Sequence, residues 1–372
     1  MSSDRRHFLL GAAAVAAQSV SAQNSDRMNT AVIGTGNRGS YLVTAVLDQP
    51  GAKVAALCDI KPDRLDKAAT MAAKDNPNTY TDWRKILDRK DIESVVIATP
   101  PHLHSQMAVA ALQAGKNVYC EKPIGISPEQ VKAVVAAAKA SRKVFVAGQQ
   151  LRSMKQYGEA VGKIHGGVIG SLLMVKAQRH ASADLPHDGS SGDWYFDVTK
   201  SGGYLIEQSV HNLDLCNWAI GKRPVRACGF GSIMMYKNDP PGRTIFDNGS
   251  ITYEYPGGLQ MSFTQNVFHP RGLALPNQSI HVFGEKGAVD LMGVAPGTMY
   301  PHDRNAQAAV IAEKQQEYQH AHMRAFVACV RENGPNPADI TIGATAALTA
   351  IMGHRAMATG KVVTWAELGV SL

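Results

Sequence analysis

The sequence predicts an α/β protein in two parts, a doubly wound parallel sheet followed by an α+β domain with a largely antiparallel, open-faced sheet. Apolar runs at residues 29–33, 53–58 and 92–98 each end in glycine or polar residues and lead towards segments of helical spacing, which is typical of βα units. Alternating and apolar runs between residues 172 and 283, separated by short turns, are typical of antiparallel hairpins.

Length and composition allow this organisation. A chain of 372 residues is long enough for two domains, and 45% apolar with 19% charged residues indicates a soluble globular protein. The net charge of +7 is modest and forms no basic run, so no nucleic-acid partner is expected. We predict a nucleotide-binding domain over residues 28–150 and a substrate-binding and oligomerisation domain over 151–372.

Residues 1–22 resemble a twin-arginine (Tat) export signal. Arg5 and Arg6 precede an apolar run of about a dozen residues, which ends in Val20-Ser21-Ala22. The run is shorter than the ~20 residues that span a bilayer, which disfavours the alternative of a membrane anchor. We therefore expect a cleaved signal, the Tat machinery as an export partner, and a periplasmic location.

A glycine-rich turn follows the first apolar run and opens a segment of helical spacing, the context that a dinucleotide-binding motif requires. Gly34 permits the tight turn, Gly36 allows close approach of a pyrophosphate, and Gly39 allows the helix to pack on the strand. The phosphates would lie on the helix N-terminus. The predicted contacts in this turn are Gly34, Thr35, Gly36, Asn37, Arg38 and Gly39.

The second apolar run ends at Asp59, twenty residues after Gly39. A carboxylate there can accept hydrogen bonds from ribose hydroxyls and would repel a 2′-phosphate, so NAD is favoured over NADP. Lys61 and Arg64 nearby leave NADP open.

Two further runs bring polar residues to the same edge of the sheet, because ligands bind beyond the carboxyl ends of parallel strands. Thr99, Pro100 and His104 follow the third run, although a histidine such as His104 is more often a helix-start residue than a catalyst. The next run ends in Glu121-Lys122-Pro123, where the proline restricts the backbone of Lys122 to extended or turn conformations.

Together these segments resemble the Gfo/Idh/MocA family of NAD(P)-dependent sugar and cyclitol oxidoreductases. The segments that carry the resemblance, from about residue 28 to beyond residue 220, are Gly34-Thr35-Gly36-Asn37-Arg38-Gly39, Cys58-Asp59, Ala98-Thr99-Pro100, His102-Leu103-His104, Ala114-Gly115-Lys116 and Glu121-Lys122-Pro123. The resemblance implies a Rossmann domain with NAD, and a role for Lys122 beside the nicotinamide, bonded to the reacting hydroxyl. Gln149 and Arg152 are expected near the domain junction.

The second half contains an acid, a histidine and an acid at helical spacing. Glu207, His211 and Asp214 share one face if the helix begins early enough. The resemblance implies that His211 is the acid-base residue, although Glu207 and Ser209 stand where the family commonly has aspartate and glycine. A capped surface helix with a satisfied histidine is the alternative.

Residues 178–199 are rich in polar and aromatic side chains, and we predict a substrate-lining loop there. A metal site from His180, His187 and Asp188 is disfavoured, because no helical His-x-x-x-His spacing supports it. The residues predicted to contact substrate are Arg152, His180, Trp194, Tyr195 and Asp214.

Five cysteines, none in a C-x-x-C pair, are expected to be buried free thiols. The exposed sheet face favours an oligomer, and the resemblance implies pairing through that sheet, as a homodimer or homotetramer.

The predicted activity is hydride transfer between a sugar carbon and the nicotinamide, with His211 removing the hydroxyl proton and Lys122 stabilising the alkoxide. Export away from a soluble nicotinamide pool implies a cofactor that does not dissociate. The alternative is a hydrolase or lyase that works by transient oxidation, elimination and re-reduction, with Glu207 as an extra acid or base. A second alternative is a dinucleotide-bound sugar sensor without turnover.

Overall fold

The computed structural model of the protein describes residues 27–182, 194–313 and 320–372. The predicted signal segment, residues 1–22, lies outside the described residues. In the described part the chain forms two sheets, one parallel and one mostly antiparallel, with helices packed against both.

The first sheet is parallel and lies in the first 150 residues. Its strands are β1 Met28–Ile33, β2 Ala52–Cys58, β3 Asn78–Tyr80, β4 Ser94–Ile97, β5 Asn117–Cys120 and β6 Phe145–Ala147. Their order is β3-β2-β1-β4-β5-β6, so the direction of winding reverses between β1 and β4. All four residues of β4 are buried, as expected for a central parallel strand. The loops after β1 and β4 leave the sheet at the switch point, where ligands bind in doubly wound folds.

The helices of this half begin at recognisable signals. Pro101 and Pro128 occupy first-turn positions, where the missing N–H of proline costs nothing, and the Ser127 hydroxyl accepts a hydrogen bond from the Gln130 N–H. The helices are α1 Asn37–Leu47, α2 Pro62–Met71, α3 Arg84–Leu87, α4 Pro101–Gln113 and α5 Pro128–Ala140.

The second sheet has nine strands within the described residues. They are β7 Leu172–His180, β8 Arg226–Ser232, β9 Asn248–Glu254, β10 Gln260–Asn266, β11 Gln278–Gly284, β12 Gly287–Met292, β13 Thr298–Pro301, β14 Ala309–Val310 and β15 Val363–Thr364. Their order is β14-β13-β12-β11-β7-β10-β9-β8-β15. Neighbours are antiparallel except β7 and β10, which are parallel, a pairing that the hairpin pattern did not predict. The short turns at Gly257-Gly258 and Glu285-Lys286-Gly287 join antiparallel neighbours, as the hairpin pattern predicted.

The remaining helices are α6 Lys155–His165, α7 Val198–Ser201, α8 Tyr204–Glu207, α9 Val210–Ile220, α10 Ala321–Glu332 and α11 Ile340–Thr359. Helix α11 packs back on the first half, and it does so through a glycine; a second glycine lets it approach the second sheet. A Cβ at Gly343 would lie 2.6 Å from the Ala147 Cβ on β6, and one at Gly353 would lie 2.0 Å from the Tyr253 hydroxyl on β9. The helix therefore holds the two sheets at a close and fixed separation.

Three local predictions require correction. Strand β3 was missed because Asn78-Thr79-Tyr80 is polar and largely exposed and carries no apolar signal. Gln178, Arg179 and His180 belong to strand β7 and not to a loop. Residues 207–214 do not form one helix, because α8 ends at Glu207 and α9 begins at Val210.

All five cysteines lie in the described residues and are free, as predicted; four are buried, and Cys228 is exposed. None of the described helices combines the length and the apolar character that a membrane crossing requires. Among residues 27–182, 194–313 and 320–372, no three His, Cys, Asp or Glu side chains are grouped closely enough to hold a metal ion. His187 and Asp188, considered above as metal ligands, lie outside those ranges.

Candidate active site

The glycine-rich turn between β1 and α1 has two glycines that the fold itself requires. Gly34 has φ +85°, and a Cβ there would lie 2.6 Å from the Ala98 carbonyl oxygen of the neighbouring strand end. A Cβ at Gly39 would lie 1.8 Å from the Gly34 carbonyl oxygen. These two residues let helix α1 and the end of β4 approach the turn closely.

Gly36 differs, because no backbone atom opposes it. The nearest atom to a Cβ at this position is Nη1 of Arg64, at 3.2 Å, on a long side chain. Gly36 is extended at the start of α1, no side chain caps the helix, and its first turn contains no acidic residue. The first N–H groups of α1 are therefore available to an anion, and the turn fits the pyrophosphate of a dinucleotide.

Asp59, at the end of β2, lies against this turn as its spacing predicted. Its Oδ2 accepts hydrogen bonds from the Thr35 N–H at 2.7 Å and the Thr35 hydroxyl at 3.2 Å, and its Oδ1 accepts from the Lys61 N–H at 2.9 Å. A carboxylate offers about four acceptor sites, two on each oxygen, so a site on Oδ1 remains and Asp59 is placed to receive a ribose hydroxyl.

The carboxyl ends of β4 and β5 are held together by His104. Its Nε2 lies 2.7 Å from the Thr99 carbonyl oxygen and its Nδ1 lies 2.7 Å from the Pro123 carbonyl oxygen. Burial lowers the pKa of His104, so the ring is neutral at physiological pH and donates to one carbonyl at a time. With a side chain only 1% exposed, His104 supports the strand ends and does not present its ring to a ligand, which differs from the predicted cofactor contact.

Glu121 is likewise engaged inside the protein. Its Oε1 forms an ion pair with Nη2 of Arg38 at 2.7 Å, joining the carboxyl end of β5 to the first turn of α1. Burial alone would raise the pKa of Glu121, but the charges of Arg38 and Lys122 outweigh it and hold the pKa below its usual value. Gln149, after β6, is 3% exposed and its Oε1 has no partner among the described residues.

Lys122 reaches across from the first half to the second. Its Nζ lies 2.8 Å from Oε1 of Glu207 and 2.6 Å from the Glu207 carbonyl oxygen, at the end of α8. Both side chains are mostly buried, at 12% and 11% exposed. The two bonds occupy two of the three ammonium N–H groups and leave one for a ligand.

His211, in the first turn of α9, faces the same space. Burial lowers its pKa well below the usual value, and the charges of Lys122, Arg179 and Arg38 lower it further. Its Nδ1 has no hydrogen-bond partner among the described residues. The ring is therefore neutral, with one unprotonated nitrogen, over the physiological pH range.

A cavity of about 560 Å³ opens between the two halves beyond the carboxyl ends of the parallel strands. Three of the predicted site residues line it: Arg38, Lys122 and His211. The remaining lining residues are Gln150, Leu151, Tyr157, Arg179, Gln208, Gln278, Met292, Gly293 and Pro296. Lys122 and His211, predicted from separate halves of the sequence, thus meet at one cavity.

The predicted acid-histidine-acid face does not form. Because the chain turns between α8 and α9, the Glu207 carboxylate bonds Lys122 and not His211. Asp214 points the other way, into a two-point ion pair with Arg152 at 2.8 and 2.9 Å. Arg152 also lies over the Trp218 ring. Arg152 and Asp214, predicted to contact substrate, therefore form a buried pair that joins the end of the first half to α9.

The other predicted substrate residues lie outside the described cavity lining. His180 bonds the Thr264 hydroxyl through Nε2 at 3.1 Å. Tyr195 is 3% exposed and packs with Phe196 and Ile245, and its hydroxyl has no partner among the described residues. Trp194 packs against this cluster. Most of the rest of the predicted loop, residues 183–193, lies outside the described residues.

Several lining residues were missed as site residues. Arg179 was noted only as part of a polar segment, and Gln150, Gln208 and Gln278 were not singled out. Alternation along residues 172–180 could have placed Arg179 on the face of a strand, but only the tertiary fold brings β7, β11 and the turn before α9 together.

Comparison with known proteins identifies both halves. Residues 28–149 match a family model described as an oxidoreductase family with an NAD-binding Rossmann fold, and residues 158–290 match the GFO/IDH/MocA C-terminal domain. Inositol 2-dehydrogenase of Salmonella typhimurium is 30% identical over 278 residues, which are 72% of this chain and 75% of that protein. The 2,7-anhydro-N-acetylneuraminate hydratase of Mediterraneibacter gnavus is 26% identical over 291 residues, 77% of this chain and 73% of that protein.

Among solved structures, levoglucosan dehydrogenase in complex with NADH and levoglucosan aligns with a TM-score of 0.78 at 21% identity, over 91% of this chain and 99% of that one. At this identity the likeness concerns the fold, and the two-part α/β architecture is confirmed.

Substitution of Gly39 should lower stability, whereas substitution of Gly36 should weaken cofactor binding. We expect Gly39→Ala to lower the free energy of unfolding by about 2 to 3 kcal/mol, because the Cβ meets backbone. Gly36→Ala should unfold like the wild type in urea but weaken NAD binding by about tenfold or more, equal to ~1.4 kcal/mol. Urea unfolding and NADH fluorescence titration measure the two effects. Equal loss of stability in both variants would contradict a ligand-facing Gly36.

The Arg152–Asp214 pair should contribute to stability. Arg152→Met leaves a buried carboxylate without its cation, and we expect the free energy of unfolding to fall by about 3 to 5 kcal/mol. Arg226→Met is the matched control, because the Arg226–Glu254 pair is exposed and its loss should cost less than about 1 kcal/mol. Similar urea midpoints for the two variants would show that the buried pair is not structural.

Proposed function

The chain belongs to the GFO/IDH/MocA family of oxidoreductases, and we propose that it transfers a hydride between a hydroxyl-bearing carbon of a sugar or cyclitol and a nicotinamide dinucleotide. The observation that carries the proposal is the meeting of Lys122 and neutral His211 at one cavity beyond the dinucleotide turn. Inositol 2-dehydrogenase and levoglucosan dehydrogenase, both similar to this chain, support the substrate class.

The dinucleotide fits the residues present. The N-terminus of α1 with Gly36 would hold the pyrophosphate and Asp59 the ribose, and the buried unpartnered Gln149 amide oxygen is an acceptor near the strand ends. When bound, the nicotinamide accepts or returns a hydride. Asp59 favours NAD, while Arg64 beside Gly36 keeps NADP as an alternative.

The protein supplies the proton chemistry. His211 is held neutral and removes the substrate hydroxyl proton, since general-base catalysis needs the unprotonated ring. Lys122 uses its remaining N–H to stabilise the oxygen as negative charge develops. Glu207 fixes the ammonium by two contacts and so orients that N–H towards the cavity.

A redox-neutral lyase or hydrolase is the second candidate, favoured by the similarity to a hydratase and by the carboxylate of Glu207 at Lys122. In that reaction a substrate C–OH is oxidised to C=O, which acidifies the neighbouring C–H. Loss of that proton and of a leaving group forms an alkene, water or another nucleophile adds, and the carbonyl is reduced again. No net oxidation results, and the cofactor ends in its starting state.

We further propose that the twin-arginine segment exports the folded protein to the periplasm with its cofactor inside. A dinucleotide that does not dissociate would meet the need for a closed redox cycle there. An oligomer is also proposed, because strands of the second sheet expose large apolar side chains, among them Leu173 at 56% and Phe230 at 75%.

Removal of either proton-handling side chain should abolish most turnover. We expect Lys122→Ala and His211→Asn each to lower kcat about 100-fold to 10,000-fold, the usual contribution of a positioned acid or base. Because a cofactor that does not dissociate allows one net reduction per chain, the rate of that single reduction, followed at the nicotinamide absorbance, measures the loss, and Lys176→Ala, on an exposed position of β7, is the control. Turnover within a few-fold of wild type for Lys122→Ala would refute the assignment.

The same assay over a pH range tests the state of His211. Because its pKa is lowered, the base form persists as the pH falls, and kcat/KM for oxidation should stay level from pH 8 to 6.5. A decline that begins near pH 7 would show an unperturbed histidine.

Cofactor retention tests the closed cycle. Protein purified without added nucleotide and then denatured should release close to one dinucleotide per chain, identified by mass spectrometry, whereas Gly36→Ala should release much less. Loss of the cofactor on dialysis, with turnover that requires added NAD, would contradict retention.

Product analysis separates the two candidates: paired oxidised and reduced sugars indicate an oxidoreductase, and rearranged or cleaved product without net oxidation indicates a lyase or hydrolase.

A further inference from the structure

Arg179 lines the cavity from the end of strand β7, and neutral groups surround its guanidinium. Nη1 donates to the amide oxygens of Gln278 at 2.8 Å and Asn212 at 3.2 Å, and Nη2 donates to that of Gln208 at 2.9 Å. A hydrogen bond to Arg179 also opposes the rise that burial causes in the pKa of the Tyr204 hydroxyl. Gln278 is the direct partner of Arg179 across β7 and β11, so the sheet register fixes this contact.

The other two cationic side chains in the lining each have a carboxylate. Arg38 pairs with Glu121 at 2.7 Å, and Lys122 pairs with Glu207 at 2.8 Å. Within the described residues no carboxylate lies within ion-pair distance of Arg179, and none lines the cavity. The cavity therefore carries one positive charge that described side chains do not match. Arg179 is only partly buried, but a ligand that fills the cavity would displace water from it, and an unpaired charge is costly without water, so its natural complement is an anion on the ligand.

The side-chain amides around Arg179 also make this wall of the cavity suited to a negatively charged ligand. Because a guanidinium only donates, the oxygens of Gln208 and Gln278 must face it and their NH₂ groups must face elsewhere. The NH₂ group of Gln208 donates to Oε2 of Glu207. That of Gln278, a residue of the cavity wall, is left to donate to a ligand. Arg179 thus organises a wall that offers positive charge and donors, and this wall suits an acceptor-only group.

From this arrangement we propose that the substrate is a sugar acid, and that Arg179 recognises its carboxylate. The inference rests on the proposed function and narrows its substrate class. A carboxylate brings one negative charge, which matches the one cation of the cavity lining that has no carboxylate partner among the described residues. A phosphate brings about −1.5 to −2 at neutral pH and would leave an excess of negative charge.

The experiment compares sugars that differ only at one carbon. For the gluco, galacto and manno configurations, the neutral hexose, its uronate, its uronamide and its 6-phosphate are presented to the protein saturated with NAD. Binding is measured as the rise in melting temperature, and reaction as reduction of the cofactor. At least one uronate should raise the melting temperature, and its KM should be at least about 30-fold below those of the matched hexose and uronamide.

Substitutions assign the effect to Arg179. Arg179→Gln should raise the KM for that uronate at least about 30-fold, with a much smaller change in kcat, and should abolish the shift in melting temperature. Arg179→Lys retains the charge without the fork and should retain part of the affinity. Lys176→Gln removes one positive charge from the same strand at an exposed position and should bind the uronate like the wild type.

The outcomes separate this inference from the proposed function. Neutral hexoses that react as well as uronates, a preference for the 6-phosphates, or uronate affinity that survives Arg179→Gln would each overturn carboxylate recognition while leaving the oxidoreductase intact. Arg179-dependent binding of a uronate with no change at the cofactor would support carboxylate recognition and count against the oxidoreductase. The absence of any uronate-induced shift in melting temperature would overturn the inference.

Discussion

The active site depends on the ion pair between Lys122 and Glu207, because it is made across the two halves of the molecule. Lys122 follows the carboxyl end of β5 and Glu207 ends α8, and both side chains are mostly buried. A buried ammonium requires a partner, and this partner also supplies a backbone carbonyl that fixes the direction of the lysine. The position of Lys122 therefore depends on how the second half docks on the first, which helix α11 controls through Gly343 and Gly353.

The charges around the cavity form a connected system. Arg38 and Lys122 hold the carboxylate of Glu121 ionised in spite of burial, and the same cations, with Arg179, add to burial in keeping His211 neutral. In the proposed reaction this arrangement has two consequences: His211 is unprotonated at physiological pH, and the cations would stabilise the negative charge that develops on the substrate oxygen. Arg179, which has no carboxylate partner among the described residues, would in the same way attract a negative charge on another part of the proposed substrate.

Features that depend on local spacing could be predicted well from the sequence. The glycine-rich turn, Asp59 at the end of β2 and Lys122 after β5 follow from short motifs whose geometry is set within a few residues. Other predictions for site residues failed because of contacts between distant segments. His104 was expected to face the cofactor, but its two ring nitrogens lie against carbonyl oxygens of two strand ends; Asp214 and Arg152 were expected to face substrate but face each other. Nothing in the spacing of those residues distinguishes a ligand contact from an internal one.

The sequence by itself determined the order of βα units, the dinucleotide turn and the family, because each is encoded in periodicity or in a contiguous motif. The tertiary structure alone decided which polar side chains share the cavity. A break of two residues between α8 and α9 sends Glu207 to Lys122 and leaves His211 without an acid partner among the described residues. The register of β7 against β11 sets Arg179 beside Gln278, 99 residues apart in the chain. Charge pairing is a through-space property, and only the folded chain shows which cations of the cavity lining have a carboxylate partner among the described residues.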